Sequence, residues 1–269
     1  MKYLKKIWFV GLVVLLLASS CENYFEVSPY SADVKSNMKN THVRNMTDIE
    51  KMGSNNSGEF KFAVLADSHY NYHELSTAIS IVNSRSDVDF VIIDGDFCDH
   101  GYLKEYEMFF DLAQKLNKPY LTVVGNHDYR SNGGKIYRKM YGQPNKRFIY
   151  NNNLFVLFDD VFWESDVDVD FQWLEESLKS AAYCTNRIVI CHIPPFDGQF
   201  TDDKELLYDS LMVKYQVDYS IHGHVHSYSL GDYYNSGVMY LTVESILDKE
   251  FAIVSVNSAD EIEVERIRF

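Results

Sequence analysis

Five short polar runs in this chain hold the residue types that bind metal ions. They are Asp67-Ser68-His69, Gly95-Asp96-Phe97-Cys98-Asp99, Gly125-Asn126-His127-Asp128, Cys191-His192 and His222-Gly223-His224-Val225-His226. Carboxylate, imidazole and amide oxygen in one mixed set suit divalent first-row ions such as Mn, Fe or Zn. Cys98 and Cys191 sit close to these donors in sequence but outside the ligand pattern, so a cysteine zinc site is not expected. Taken singly, each run has a bland reading: Gly-Asp is a common turn, Asn and Asp bond their own backbone, and His224 and His226 would share one face of an extended strand. Jointly the bland reading fails, because five of the nine histidines, His69, His127, His192, His224 and His226, would have to fall after strands in the right order by accident.

The elements that would position the runs are apolar strands. Phe60–Ala66, Val88–Asp94 and Tyr120–Val124 each lead into one of the first three, with helices predicted at Glu74–Asn83 and Leu103–Leu116. Leu75, Ala78, Ile79 and Val82 make one helix face, as do Tyr106, Phe109, Phe110 and Ala113. Asp67 and Asp96 are 29 residues apart and Asp96 and Asn126 30 apart, so the three runs recur at one point of successive βαβ units. Further on, strands are expected at Arg147–Tyr150, Asn153–Phe158, Arg187–Cys191 and Val217–Ile221, with helices at Phe171–Ala181 and Lys204–Tyr215. Gly237–Val243, Glu250–Val256 and Glu261–Arg268 read as antiparallel strands. In an open α/β sheet the carboxyl ends of the strands face one crevice, where ligands bind.

With 269 residues, 46% of them hydrophobic and 15% aromatic, the chain can build one substantial core, which excludes a disordered tail or a disulfide-stapled miniprotein. A net charge of -14 argues against general nucleic-acid binding. It does not exclude a phosphate substrate, because a bound cation can outweigh nearby carboxylates.

At the start, Lys2, Lys5 and Lys6 precede the apolar run Ile7–Ala18, which is short for a membrane span and reads as a secretory signal over residues 1–20. Leu17-Ala18-Ser19-Ser20-Cys21 resembles a bacterial lipobox, which implies a lipidated Cys21 and a cell-envelope location, at the periplasm or the cell surface. An uncleaved anchor or an ordinary cleaved signal is the alternative. Residues 21–58 are polar and Ser/Asn-rich, and are expected to form a flexible tether with one short helix near Asp48–Met52; 59–269 is the folded domain. Cys98, Cys184 and Cys191 are expected to be buried free thiols, a Cys98–Cys191 bridge being the alternative.

Together, Asp67-x-His69, Gly95-Asp96-x-x-Asp99-x-Gly101, Gly125-Asn126-His127-Asp128, His192 and Gly223-His224-x-His226 resemble the five-block signature of calcineurin-like metallophosphoesterases, over about residues 60 to 245. The runs Gly95–Gly101 with Glu105-Tyr106, His192-x-Pro194-Pro195 and Gln172-Trp173-Leu174 resemble the cyclic-nucleotide-phosphodiesterase-type branch more than others. The resemblance implies an α/β fold, a four-layer αββα sandwich of two mixed sheets flanked by helices, with a two-metal centre at its rim. Asp67, His69, Asp96 and His226 would hold one ion, and Asp96, Asn126, His192 and His224 the second, with Asp96 bridging. His127 would act as general acid near the leaving group, oriented by Asp99. The implied activity is hydrolysis of a small-molecule phosphodiester or phosphomonoester by a metal-bridging hydroxide. Two departures matter: His100 stands where protein phosphatases place an arginine, and Asp99 where purple acid phosphatases place a tyrosine ligand.

Alternatives to this activity are a pyrophosphohydrolase or phosphatase acting on lipid-linked or nucleotide substrates, and a non-catalytic envelope lipoprotein that binds a glycan or partner. His73 and His100 receive no role, and His222 is expected in the core. Tyr70, Tyr72, Tyr102 and Tyr228 lie near the runs, either as an aromatic wall for a base or sugar or simply as packing residues.

Overall fold

The computed structural model describes residues 28–52 and 58–269; the expected leader over 1–20 and Cys21 lie outside them. In chain order the elements are α1 (Thr41–Met52), β1 (Phe60–Ala66), α2 (Tyr72–Ser84), β2 (Phe90–Asp94), α3 (Leu103–Ala113), β3 (Tyr120–Val123), α4 (Asn126–Tyr129), α5 (Gly133–Met140), β4 (Lys146–Tyr150) and β5 (Asn153–Leu157). There follow α6 (Phe171–Lys179), β6 (Arg187–Ile190), α7 (Asp202–Lys214), β7 (Tyr219–His222), β8 (Ser229–Gly231), β9 (Met239–Thr242), β10 (Glu250–Val256) and β11 (Ile262–Arg268).

The strands form two mixed sheets, ordered β11-β10-β1-β2-β3 and β4-β5-β6-β7-β9-β8. Alternation along each strand splits its side chains between two layers. Phe60, Phe62 and Val64 of β1 join Phe90, Ile92, Phe155, Leu157, Ile188 and Ile190 between the sheets. Ala63 and Leu65 turn the other way, toward the helix faces built by Leu75, Ala78, Ile79 and Val82 of α2. Leu174 and Leu178 of α6 and Leu211 and Met212 of α7 cover the outer face of the second sheet, over Val156 and Val189. Helix, sheet, sheet and helix therefore stack as expected. Across the middle, Phe62 stacks on Phe90 at 5.3 Å and meets Phe155 of the facing sheet edge-on at 5.3 Å. Such pairs contribute about 0.5–1.5 kcal/mol beyond their burial.

Two expectations are corrected. Residues 28–52 are not a free tether: Val34, Met38 and Ile49 are buried, and α1 is twelve residues long. His42, fully buried, meets Thr122 of β3 through Nε2, which lies 3.0 Å from the hydroxyl and accepts the Thr122 N–H at 2.9 Å. Sparse apolar residues in a polar stretch hid this helix, whose stability comes from docking on β3 and β4 rather than from its own pattern. Second, β9 runs parallel to β7 inside the second sheet, whereas β10 and β11 are antiparallel in the first. Cys98, Cys184 and Cys191 are buried and free, so no Cys98–Cys191 bridge forms.

Candidate metal centre

Strand register places the polar runs side by side. Leu65 pairs with Ile93 and Ala66 with Asp94, so Asp67 leaves β1 beside Gly95, whose carbonyl accepts the Asp67 N–H at 3.2 Å. In the other sheet Ile190 pairs with Ile221, and the Gly223 N–H donates to the His192 carbonyl at 3.1 Å. The sheets meet at this rim, where Ala66 bridges to Ser245 and the Ser245 hydroxyl donates to the Asp67 carbonyl at 2.9 Å.

Two donor sets result: Asp67, His69 and His226 lie together, and so do Asp96, His192 and His224. Asp96 reaches both, because its Oδ2 is 3.3 Å from His192 Nε2 and 3.8 Å from His69 Nε2. His192 Nε2 is also 3.8 Å, and His226 Nε2 3.3 Å, from Asp67 Oδ1. Five of these residues, Asp67, His69, Asp96, His224 and His226, adopt positive φ between 45° and 69°. Left-handed backbone at non-glycine residues is uncommon and persists where the surroundings over-determine it. Close approach also fixes two glycines: a Cβ on Gly95 would stand 2.4 Å from His192 Nδ1, and one on Gly125 would stand 2.2 Å from Asp96 Oδ1.

The site favours positive charge. Burial works against an imidazolium at His192, yet the Asp96 and Asp67 carboxylates outweigh it and raise this histidine well above its ordinary range. Burial likewise opposes the Asp96 anion, but His192, His127 and His69 hold it far below the usual carboxylate range. The Asp67 carboxylate, 3.3 Å from His226 Nε2, raises that histidine. Ligand chemistry fits a cation: Asp67 Oδ1, Asn126 Oδ1 and His192 Nε2 are buried without hydrogen-bond partners. His192 Nδ1 lies 2.8 Å from the Asp94 carbonyl, which takes the Nδ1 proton, so that Nε2, facing the carboxylates, is the nitrogen a cation would meet in place of a proton.

Asp99 differs from its expected role. Its carboxylate lies 3.2 Å from His69 Nδ1, and its backbone carbonyl, not the side chain, stands 3.0 Å from His127 Nδ1. Arg130 Nη1 is 2.8 Å from the same nitrogen. Burial, offset in part by Asp96, lowers His127 below the ordinary imidazole value. His127 is half-buried and, with Tyr70, Asn71, Asp99 and Leu247, lines an open cleft of about 490 Å³ over the donors. Tyr70 holds its hydroxyl 2.7 Å from His100 Nδ1 and against Glu105, while its ring stays exposed to the cleft.

His222 is buried, as expected, with Nδ1 3.0 Å from the Cys191 carbonyl and Nε2 2.8 Å from the Ser220 hydroxyl; burial pushes it down to about 3. It forms a wholly buried group with Asp160 and Cys191, whose Sγ is 3.2 Å from the Tyr208 hydroxyl. Sequence reasoning named Asp128 without a role. Its carboxylate accepts the N–H groups of Asp96, Cys98 and Gly125, each at 2.9 Å, which ties the second and third runs together. Glu164 and Arg130 were missed. For Glu164 a signal existed: it follows β5, another parallel strand ending at this rim.

The two-sheet sandwich and its rim donors define an α/β protein with a candidate metal centre. A family model described as Calcineurin-like phosphoesterase matches residues 60–228, and the chain belongs to that family. Family membership implies divalent metal ions. Purple acid phosphatase 3 of Arabidopsis thaliana is 33% identical over 89 residues, 29% of this chain and 24% of that protein. A probable cyclic nucleotide phosphodiesterase of Xenorhabdus bovienii is 24% identical over 90 residues, 34% of this chain and 35% of that protein. The matches thus span about a quarter to a third of these curated relatives. Among solved structures, the purple acid phosphatase PPD1 of yellow lupin (Lupinus luteus) superposes with a TM-score of 0.65 at 16% identity, over 78% of this chain and 51% of that one. At that identity the likeness shows the fold.

Proposed function

We propose that this chain hydrolyses phosphodiesters or phosphomonoesters of small molecules with two divalent cations, Mn, Fe or Zn. The observation that carries the reading is Asp96, one carboxylate within reach of histidines of both donor sets. When bound, such a pair supplies Lewis acidity toward the phosphoryl oxygens and lowers the pKa of water toward neutrality.

The chain's own residues divide the remaining work. Asp67, His69 and His226 would hold one cation, and Asn126, His192 and His224 the other, with Asp96 within reach of both sets. Asp94 fixes the His192 ring through its carbonyl. His127, when protonated, donates through Nδ1 to the Asp99 carbonyl, presents Nε2 to the cleft and donates from there to the departing oxygen. A lowered pKa makes it the stronger acid when protonated, at the expense of its population at neutral pH. The Asp99 carboxylate steadies His69 instead. The lysine-flanked apolar leader and Cys21 support a lipid-anchored envelope protein.

The test is hydrolysis of bis(p-nitrophenyl) and mono-p-nitrophenyl phosphate by chelator-stripped protein reloaded with Mn, Fe, Zn or Co. Turnover of either ester supports the reading. Failure with every ion favours a binding protein on the same scaffold.

A further inference from the structure

We propose that Glu164 is a positioning residue that fixes which atom of the Asn126 amide a cation meets. The inference rests on the two-cation reading above. Asn126 Nδ2 donates to Glu164 Oε1 at 3.1 Å, while Asn126 Oδ1 is buried and has no partner. A carboxylate offers only acceptors, so the amide nitrogen must face Glu164 and the oxygen must turn away. That is the orientation a divalent cation requires, because the amide oxygen has available lone pairs whereas the nitrogen's is delocalised into the carbonyl.

Neither end of this contact is loose. Asn126 opens α4 beside Asp96, whose Oδ1 accepts the N–H of the next residue, His127, at 2.9 Å. On the other side, the Ser165 hydroxyl donates to the Val161 carbonyl at 2.6 Å and accepts the Val167 N–H at 3.1 Å, which closes the loop carrying Glu164. Phe162 anchors the loop on the core, with Lys204 Nζ 5.2 Å above its ring. Glu164 belongs to neither donor set and acts through Asn126 alone.

The experiment is Mn²⁺ titration calorimetry on chelator-stripped full-length protein, wild type beside Glu164→Ala and Glu164→Gln, with metal-free melting curves for all three. Outer-shell partners of metal ligands are worth about 10–100-fold in affinity, so Glu164→Ala should weaken one Mn²⁺ step by that factor and leave the other within about threefold. Glutamine keeps an acceptor oxygen in place, and Glu164→Gln should bind near the wild-type level. Melting in the absence of metal should match wild type, which separates amide positioning from loss of the fold. Two outcomes overturn the inference alone: wild-type binding of both ions by Glu164→Ala, or equal loss in the alanine and glutamine variants. A wild-type chain that takes up neither Mn²⁺ nor, in the same titration, Fe²⁺ or Zn²⁺ overturns the two-cation reading and this inference with it.

Discussion

The two donor sets draw on the same residue types but are held differently. In the inner set, the His192 side chain is fully buried, and its Nδ1 is fixed by a strand carbonyl. In the outer set, the His226 side chain is 37% exposed and borders the open cleft. His69 stands between solvent and interior, braced by Asp99 and edge-on to His127 at 4.8 Å between ring centres. Orienting partners raise the basicity and fix the tautomer of a ligating histidine. His192 is therefore preorganised by the sheets, whereas His226 stands at the cleft where substrate and ion have access.

The largest way to break this comparison is to remove what the sets share. Asp96→Asn should lose both cations and about 10³-fold or more of turnover, several kcal/mol of Lewis-acid stabilisation; metal content by mass spectrometry and ester hydrolysis check it together. His127→Ala should keep both cations and lose about 10² to 10⁴ in kcat. Equal metal loss in these two variants would contradict their separate roles. Finer discrimination comes from the histidines. His192→Ala should abolish the tighter cation-binding step, whereas His226→Ala should weaken the other by about 10–100-fold and spare the first; calorimetric titration reads both, and identical profiles would sink the inner–outer distinction.

The smallest effect concerns a carboxylate outside both sets. Burial raises Asp159, beneath the Tyr129 hydroxyl, to about 6. Its folded value lies above its unfolded one, so the native state holds the extra proton between roughly pH 4 and 6. Stability from this group is thus greatest below that window and is lost as pH rises through it, by about 3 kcal/mol. Asp159→Asn should flatten that slope in urea unfolding while leaving cation affinity unchanged. A persistent slope would place the titration elsewhere.

Much of this was legible beforehand. Strand-ending polar runs at a 29–30 residue pitch fixed which donors would converge, and α3 buries Tyr106, Phe109, Phe110 and Ala113 as its spacing requires. Gly237–Val243 misled because its apolar pattern suits a strand of either direction; only its neighbours, β7 on one side and β8 on the other, decide that β9 is parallel to one and antiparallel to the other. The helix at Thr41–Met52 was under-read because Ile49 and His42 gain their burial from strands that come later in the chain.

The sequence by itself determined the chemistry on offer: carboxylates, imidazoles and one amide, each placed just past an apolar strand, since strand periodicity and turn-forming residues are local properties. Tertiary structure alone decided how those groups face one another. It turned the Asp99 carboxylate to His69 and left its carbonyl for His127, and it set Glu164 against Asn126 from 38 residues away. The reason is physical: side-chain orientation depends on packing among segments remote in sequence, and no local pattern carries that information.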